Sequence, residues 1–162
     1  MKCAMNYLET RSKCKINTYY LYLSVMMHTL DVSYSYDFLL FGISCHESSH
    51  RLCWFLNTKL GVEMEFEREI QVPQKAGRKS GHEMYRFYDE ENSITLSLIN
   101  NRTEHGLLLP EIKQVDYFLK VEDEAFMEAD VLKKKMIEIP VVMTCFNLKP
   151  TDYKSKDNLI FD

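Results

Sequence analysis

The sequence predicts an α+β domain: one mainly antiparallel sheet in the order β-α-β-β-β-β-α-β, with two helices on one face. Three observations predict it. Two stretches carry apolar residues at helical spacing and stop at Gly61 and Pro140. Residues 62–70, 94–99 and 115–121 alternate apolar and polar side chains, as half-exposed strands do. Strand–helix–strand units open and close the domain, and antiparallel strands fall between them.

The elements follow in order. Phe38–Ser44 is a nearly continuous apolar run, suited to a strand buried on both faces, and Ser44 can cap the helix that follows. From Cys45 or His46 to Leu60 no proline or glycine intervenes, and Leu52, Cys53, Leu56 and Leu60 recur at helical spacing. Trp54 and Phe55 widen that stripe, which predicts a helix packed on two sides. In 62–70, Val62, Met64 and Phe66 point one way and Glu63, Glu65 and Glu67 the other. Pro73–Gly81 reads as a polar loop, 84–88 as a strand, and 89–92 as the turn of a hairpin into Ile94–Ile99. A loop over 101–106 precedes Pro110, which suits the first position of a short helical turn. Val115, Tyr117, Leu119 and Val121 share one strand face. A second helix runs within 123–138, strongest from Asp130, and Val141–Phe146 is the last strand. The final helix, Ile139-Pro140-Val141 and a strand have the order of the second half of a ferredoxin-like domain. The second sheet face is expected to stay partly exposed, carried by the glutamates of 62–70.

Composition bounds the function. At 162 residues the chain is long enough for one self-sufficient core. A formal net charge of −4 disfavours nucleic acid as the main partner. Five cysteines, with no CxxC, read as reduced thiols in a cytoplasmic protein, with Cys45, Cys53 and Cys145 in the core. The apolar run 19–26 is too short to span a bilayer, and no small-x-small cleavage site follows it.

His46-Glu47-Ser48-Ser49-His50 matches H-E-x-x-H, whose histidines at i and i+4 of a helix can bind zinc while the glutamate activates water. The match sits in the first turn after a strand, and Leu56 stands where a metzincin has its third histidine. Glu63, Glu65, Glu67 and Glu69 fall on a strand rather than a second helix. No metal, cofactor or catalytic residue is therefore expected. His28, His82 and His105 are isolated, read as surface or core-edge residues. Glu111 and Asp116 invite a paired-carboxylate reading, but an acid in a helical first turn and an acid fixing loop amides account for both. Tyr117 is amphipathic, at the core edge or in a contact. Glu111, Asp116 and Tyr117 stand as the candidate binding residues.

The stretch Leu109-Pro110-Glu111-Ile112-Lys113-Gln114-Val115-Asp116-Tyr117 resembles the word that names the bacterial IPExxxVDY family, with Leu109 in place of isoleucine. Phe41-Gly42-Ile43, Arg51–Asn57 and the tail Lys154–Phe161 extend the resemblance over 28–161. It implies a short cytoplasmic protein and carries no assigned activity, cofactor or catalytic residue. Because it starts near Met27, residues 1–26 are expected to be a non-native or disordered extension, and 27–162 the single domain.

Three functions are compatible with this reading. A non-enzymatic protein-interaction or adaptor module lacks no part, with an unidentified protein as partner, a homodimer allowed, and no membrane. A small-ligand regulatory domain of the ACT kind fits the closing β-α-β unit, though Gly42–Ser44 is a thin match to its glycine-rich loop. A zinc-dependent hydrolase rests on H-E-x-x-H alone.

Overall fold

The computed structural model describes residues 36–74, 77–123 and 126–161. The expected boundary between 26 and 27 lies outside them. The main sheet has six strands: β1 (Leu39–Ser44), β2 (Glu65–Pro73), β3 (Lys79–Asp89), β4 (Ile94–Asn100), β7 (Tyr117–Glu122) and β8 (Thr144–Leu148). A separate two-stranded hairpin, β5 (Arg102–Thr103) with β6 (Gly106–Leu107), occupies the stretch expected to be a loop. Helix α1 spans Ser49–Leu60 and α2 spans Ala129–Ile137.

The sheet order is β2-β3-β4-β7-β1-β8, and every neighbouring pair is antiparallel. The order β8-β1-β7-β4, with α1 after β1 and α2 between β7 and β8, is the ferredoxin-like arrangement. Strands β2 and β3 extend it as a meander. The α+β class and the order of helices and main-sheet strands are those the sequence predicts.

Both helices cover one face. Leu52, Cys53 and Leu56 of α1 and Leu132 and Met136 of α2 pack with Phe41, Ile43, Leu96, Leu98, Leu119 and Val121. The three described cysteines, Cys45, Cys53 and Cys145, are free thiols in this core. Gly61 ends α1 in the left-handed conformation, φ 73°, and its N–H donates to Asn57 O.

The opposite face stays exposed only toward β2, and its centre is covered. Leu40, Met84, Ile99 and Phe118 are buried there under Leu108, Leu109, Ile112 and Val115, together with Leu159 from the tail. Leaving those four side chains to water would forfeit roughly 1.5–3 kcal/mol each. Val115 therefore departs from its expected face. It precedes β7, so the alternation that sends Tyr117, Leu119 and Val121 toward the helices begins only at Tyr117.

Phe66 pairs with Tyr85 on the helix side of the sheet, the face expected for it, but on the edge strand it stays 56% exposed. A bulge between Phe66 and Arg68 breaks the alternation of β2 beyond it. The predicted 73–81 loop shrinks, because pairing of β2 with β3 continues to Pro73↔Lys79. The last strand begins at Thr144 rather than Val141, since Ile139–Val142 is a turn closed by Val142 N–H to Ile139 O. His82 is fully buried rather than at the surface or core edge. Its Nδ1 lies 2.8 Å from Asn100 O and its Nε2 2.7 Å from Ser80 Oγ.

Candidate functional site

Helix α1 starts at Ser49 with Ser48 as its cap residue, not at Cys45 after Ser44. The reason lies in 114–117. Ser44 Oγ donates to Gln114 O at 2.5 Å, the Asp116 carboxylate accepts the Cys45 N–H, and Tyr117 Oη donates to Glu47 O at 2.6 Å. Asp116 N–H also donates to Ile43 O. The four residues between β1 and α1, Cys45 to Ser48, thus stay outside the helix. Val115 adds a packing constraint: a Cβ on Gly42 would stand 2.7 Å from a Val115 methyl, so only glycine fits.

Val115, Asp116 and Tyr117 each have a partner within Gly42–Glu47. Glu111 does not join them. Its carboxylate accepts the Ser155 N–H and hydroxyl, both at 3.1 Å, tying the turn to the tail. Burial pushes that carboxyl up, but hydrogen bonds from its own N–H and from Ser155 outweigh it and hold it below its ordinary value.

Sequence reasoning missed Asn101. Its amide donates to Ile112 O and Val115 O at 3.2 and 2.7 Å, and its carbonyl oxygen accepts the Leu109 N–H at 2.9 Å. Its backbone closes the frame, with N–H to Asp116 O and O from Leu108 N–H. The whole 108–116 segment is wound on this buried side chain. Its signal was an asparagine directly after an apolar strand, eight residues before the turn it fixes.

Two adjoining clefts lie at this end of the sheet, sharing Asn100 and Tyr117. The larger, about 570 Å³, is walled by Ser49, His50, Glu69, Glu83 and His105. The smaller, about 340 Å³, is walled by Cys45, His46, Glu47, Arg102 and Asp116. His46 and His50 thus open on different clefts, because only His50 is on the helix. Glu47 pairs with Arg51 at 3.3 Å, and Asp116 with Arg102 at 3.3 Å. Among the described residues no group of three or more His, Cys, Asp or Glu is placed to hold a metal ion. Burial pushes the Cys45 thiol up, which leaves little thiolate at neutral pH. Burial likewise raises the Tyr117 phenol, against a hydrogen bond from Ser49.

A third cavity, about 290 Å³, lies between the helices. Trp54 and Phe55 meet edge to face at 4.9 Å, Ile139 and Pro140 form the opposite side, and Lys59 pairs with Glu138 at 2.7 Å on the rim. Trp54 is 62% exposed, so α1 is not packed on both sides as its sequence suggested.

These features define an α+β protein with a ferredoxin-like core, a polar double cleft and an aromatic groove. The chain matches no protein-family profile, no curated protein and no solved structure. Among the described residues no helix is long and apolar enough to cross a membrane.

Proposed function

We propose that this chain is a non-enzymatic protein-interaction module that binds its partner through the groove between α1 and the end of α2. The observation that carries this is Trp54. It is the single tryptophan of the chain, and it stands in solvent beside an apolar groove with an ion pair on its rim. An aromatic anchor with a polar rim is the usual anatomy of a binding hot spot. The buried, free Cys45, Cys53 and Cys145 support a cytoplasmic location. Membership of the IPExxxVDY family belongs to the same reading. Its support is that Glu111, Val115, Asp116 and Tyr117 each have a specific partner in the fold.

The test compares wild-type and Trp54→Ala protein as immobilised bait in a lysate of the native cells. Trp54 is exposed, so its truncation should leave folding nearly unchanged. A stoichiometric partner held by the wild type and lost by the variant supports the groove. Equal retention by both overturns it.

A small-ligand regulatory domain of the ACT kind is the second reading. The cleft of about 570 Å³ favours it, being within the size range of small-molecule sites. A thermal shift with small polar metabolites, abolished by His50→Ala, would favour it over the groove. The zinc hydrolase gains no support, since His46 and His50 serve different clefts.

A further inference from the structure

We propose that two copies of this chain pair edge to edge through β8, antiparallel about a two-fold axis, with Phe146 facing its own copy across that axis. The two edges of the sheet are built differently. β2 carries Glu65, Glu67, Arg68 and Glu69, a bulge, and Pro73 at its end. These are the devices that keep an edge strand from pairing. β8, Thr-Cys-Phe-Asn-Leu, has no charge and no proline. Its register with β1 is unbroken from Leu40↔Leu148 to Ser44↔Thr144, and among the described residues no strand lies on its outer side.

Phe146 supplies the specific argument for a second copy. Its cross-strand neighbour within the sheet is Gly42, which has no side chain to offer and cannot acquire one because Val115 fills the space. The ring is 38% exposed, and only a strand added outside β8 can give it a cross-strand partner. Self-pairing about Phe146 sets ring against ring, Cys145 against Asn147, and Thr144 against Leu148. No like charges meet. The same operation on β2 about Glu67 would set Glu65 against Glu69 and repel. Met143, one residue before β8, is exposed as well.

Sedimentation of the full chain at increasing concentration tests the proposal, with Phe146→Lys, Phe146→Glu and their mixture alongside. The wild type should dimerise. Each single variant should be monomeric, and the mixture should recover a dimer. Phe66→Lys on β2 and Trp54→Ala should leave the dimer intact, which separates this surface from the groove. Should the Phe146 variants fail to fold, hydrogen exchange of the wild type decides. Protection of Thr144–Leu148 amides must then rise with protein concentration. A wild type that stays monomeric, a dimer indifferent to charge at Phe146, or β8 protection that does not depend on concentration overturns the proposal.

Discussion

The Asp116 carboxylate accepts the Cys45 backbone N–H at 3.0 Å, so the residue before β7 holds the residue after β1. Its other oxygen faces Arg102 Nε at 3.3 Å. Asp116→Ala should cost about 1–3 kcal/mol by leaving a partly buried N–H unpaired. Asp116→Asn should cost less, since an amide oxygen still accepts that N–H. Urea unfolding midpoints at unchanged slope measure both. If both variants keep full stability but lose binding of a small ligand, Asp116 serves a site and not the frame.

Asn101→Ala should be more damaging. It removes three side-chain hydrogen bonds inside the protein, taking their side-chain partner from the Val115 carbonyl and the Leu109 N–H and leaving the Ile112 carbonyl with only the Val115 N–H. A loss of about 3 kcal/mol is expected. Asn101→Asp should be no better, because it turns an oxygen toward the Ile112 and Val115 carbonyls. Chemical denaturation reports the loss, and weakened exchange protection confined to 108–116 would locate it.

Leu119 is fully buried at the centre of the sheet and faces both helices. Leu119→Ala should cost about 2–5 kcal/mol, transfer and cavity terms together. Tyr88→Ala, at an exposed position, serves as the comparison and should fall within about 0.5 kcal/mol of wild type.

His82 makes stability depend on pH. Burial lowers its pKa below the ordinary 6.5, against a hydrogen bond to Asn100. Between the lowered folded value and the unfolded value, the unfolded chain binds the extra proton. Its contribution is therefore complete above pH 6.5 and declines as pH falls below it. The slope from this one group should not exceed about 1.4 kcal/mol per pH unit. Stability measured from pH 8 to pH 5 should show that decline in the wild type, and His82→Gln should flatten it.

Lys120 is buried at 3% exposure on the face away from the helices. Its Nζ donates to Leu159 O at 3.2 Å and lies 4.5 Å and 4.7 Å from the ring centroids of Phe38 and Phe161. Lys120→Met keeps the apolar stem and removes the cation. A loss of about 1–3 kcal/mol is expected. Exchange protection should fall first in 156–161, and uniform loosening across the sheet would contradict a clamp on the tail.

The helices and most strands were legible because their signals are periodic. Leu52, Cys53 and Leu56 mark the buried side of α1, and Leu96 and Leu98 mark the helix-facing side of β4, though that strand is buried on its other side as well. The start of α1 was not legible. Ser44 has the chemistry of a cap, but Gln114 takes its hydroxyl from seventy residues away. The same long-range contacts hold His46 and Glu47 off the helix, so H-E-x-x-H reads as a motif in sequence and comes apart in space. His82 was misread because an imidazole on a strand gives no sign that Ser80 and Asn100 will satisfy it inside. Of the candidate residues, Asp116 and Tyr117 meet at one end of the sheet, while Glu111 was drawn to the tail by Ser155, a partner no local pattern announces.

The sheet order sets a timetable for synthesis. β1 is flanked by β7 and β8, the last two main-sheet strands to be made. β2, β3 and β4 can pair with one another as they emerge, but Leu39–Ser44 has no strand to join until Tyr117 has been added. At roughly 5–20 residues per second, the most apolar strand of the sheet waits several seconds unpaired on the ribosome. A chain halted before β7 would thus present a nascent meander and an orphaned apolar strand. That intermediate is the one in which a chaperone would find most to hold.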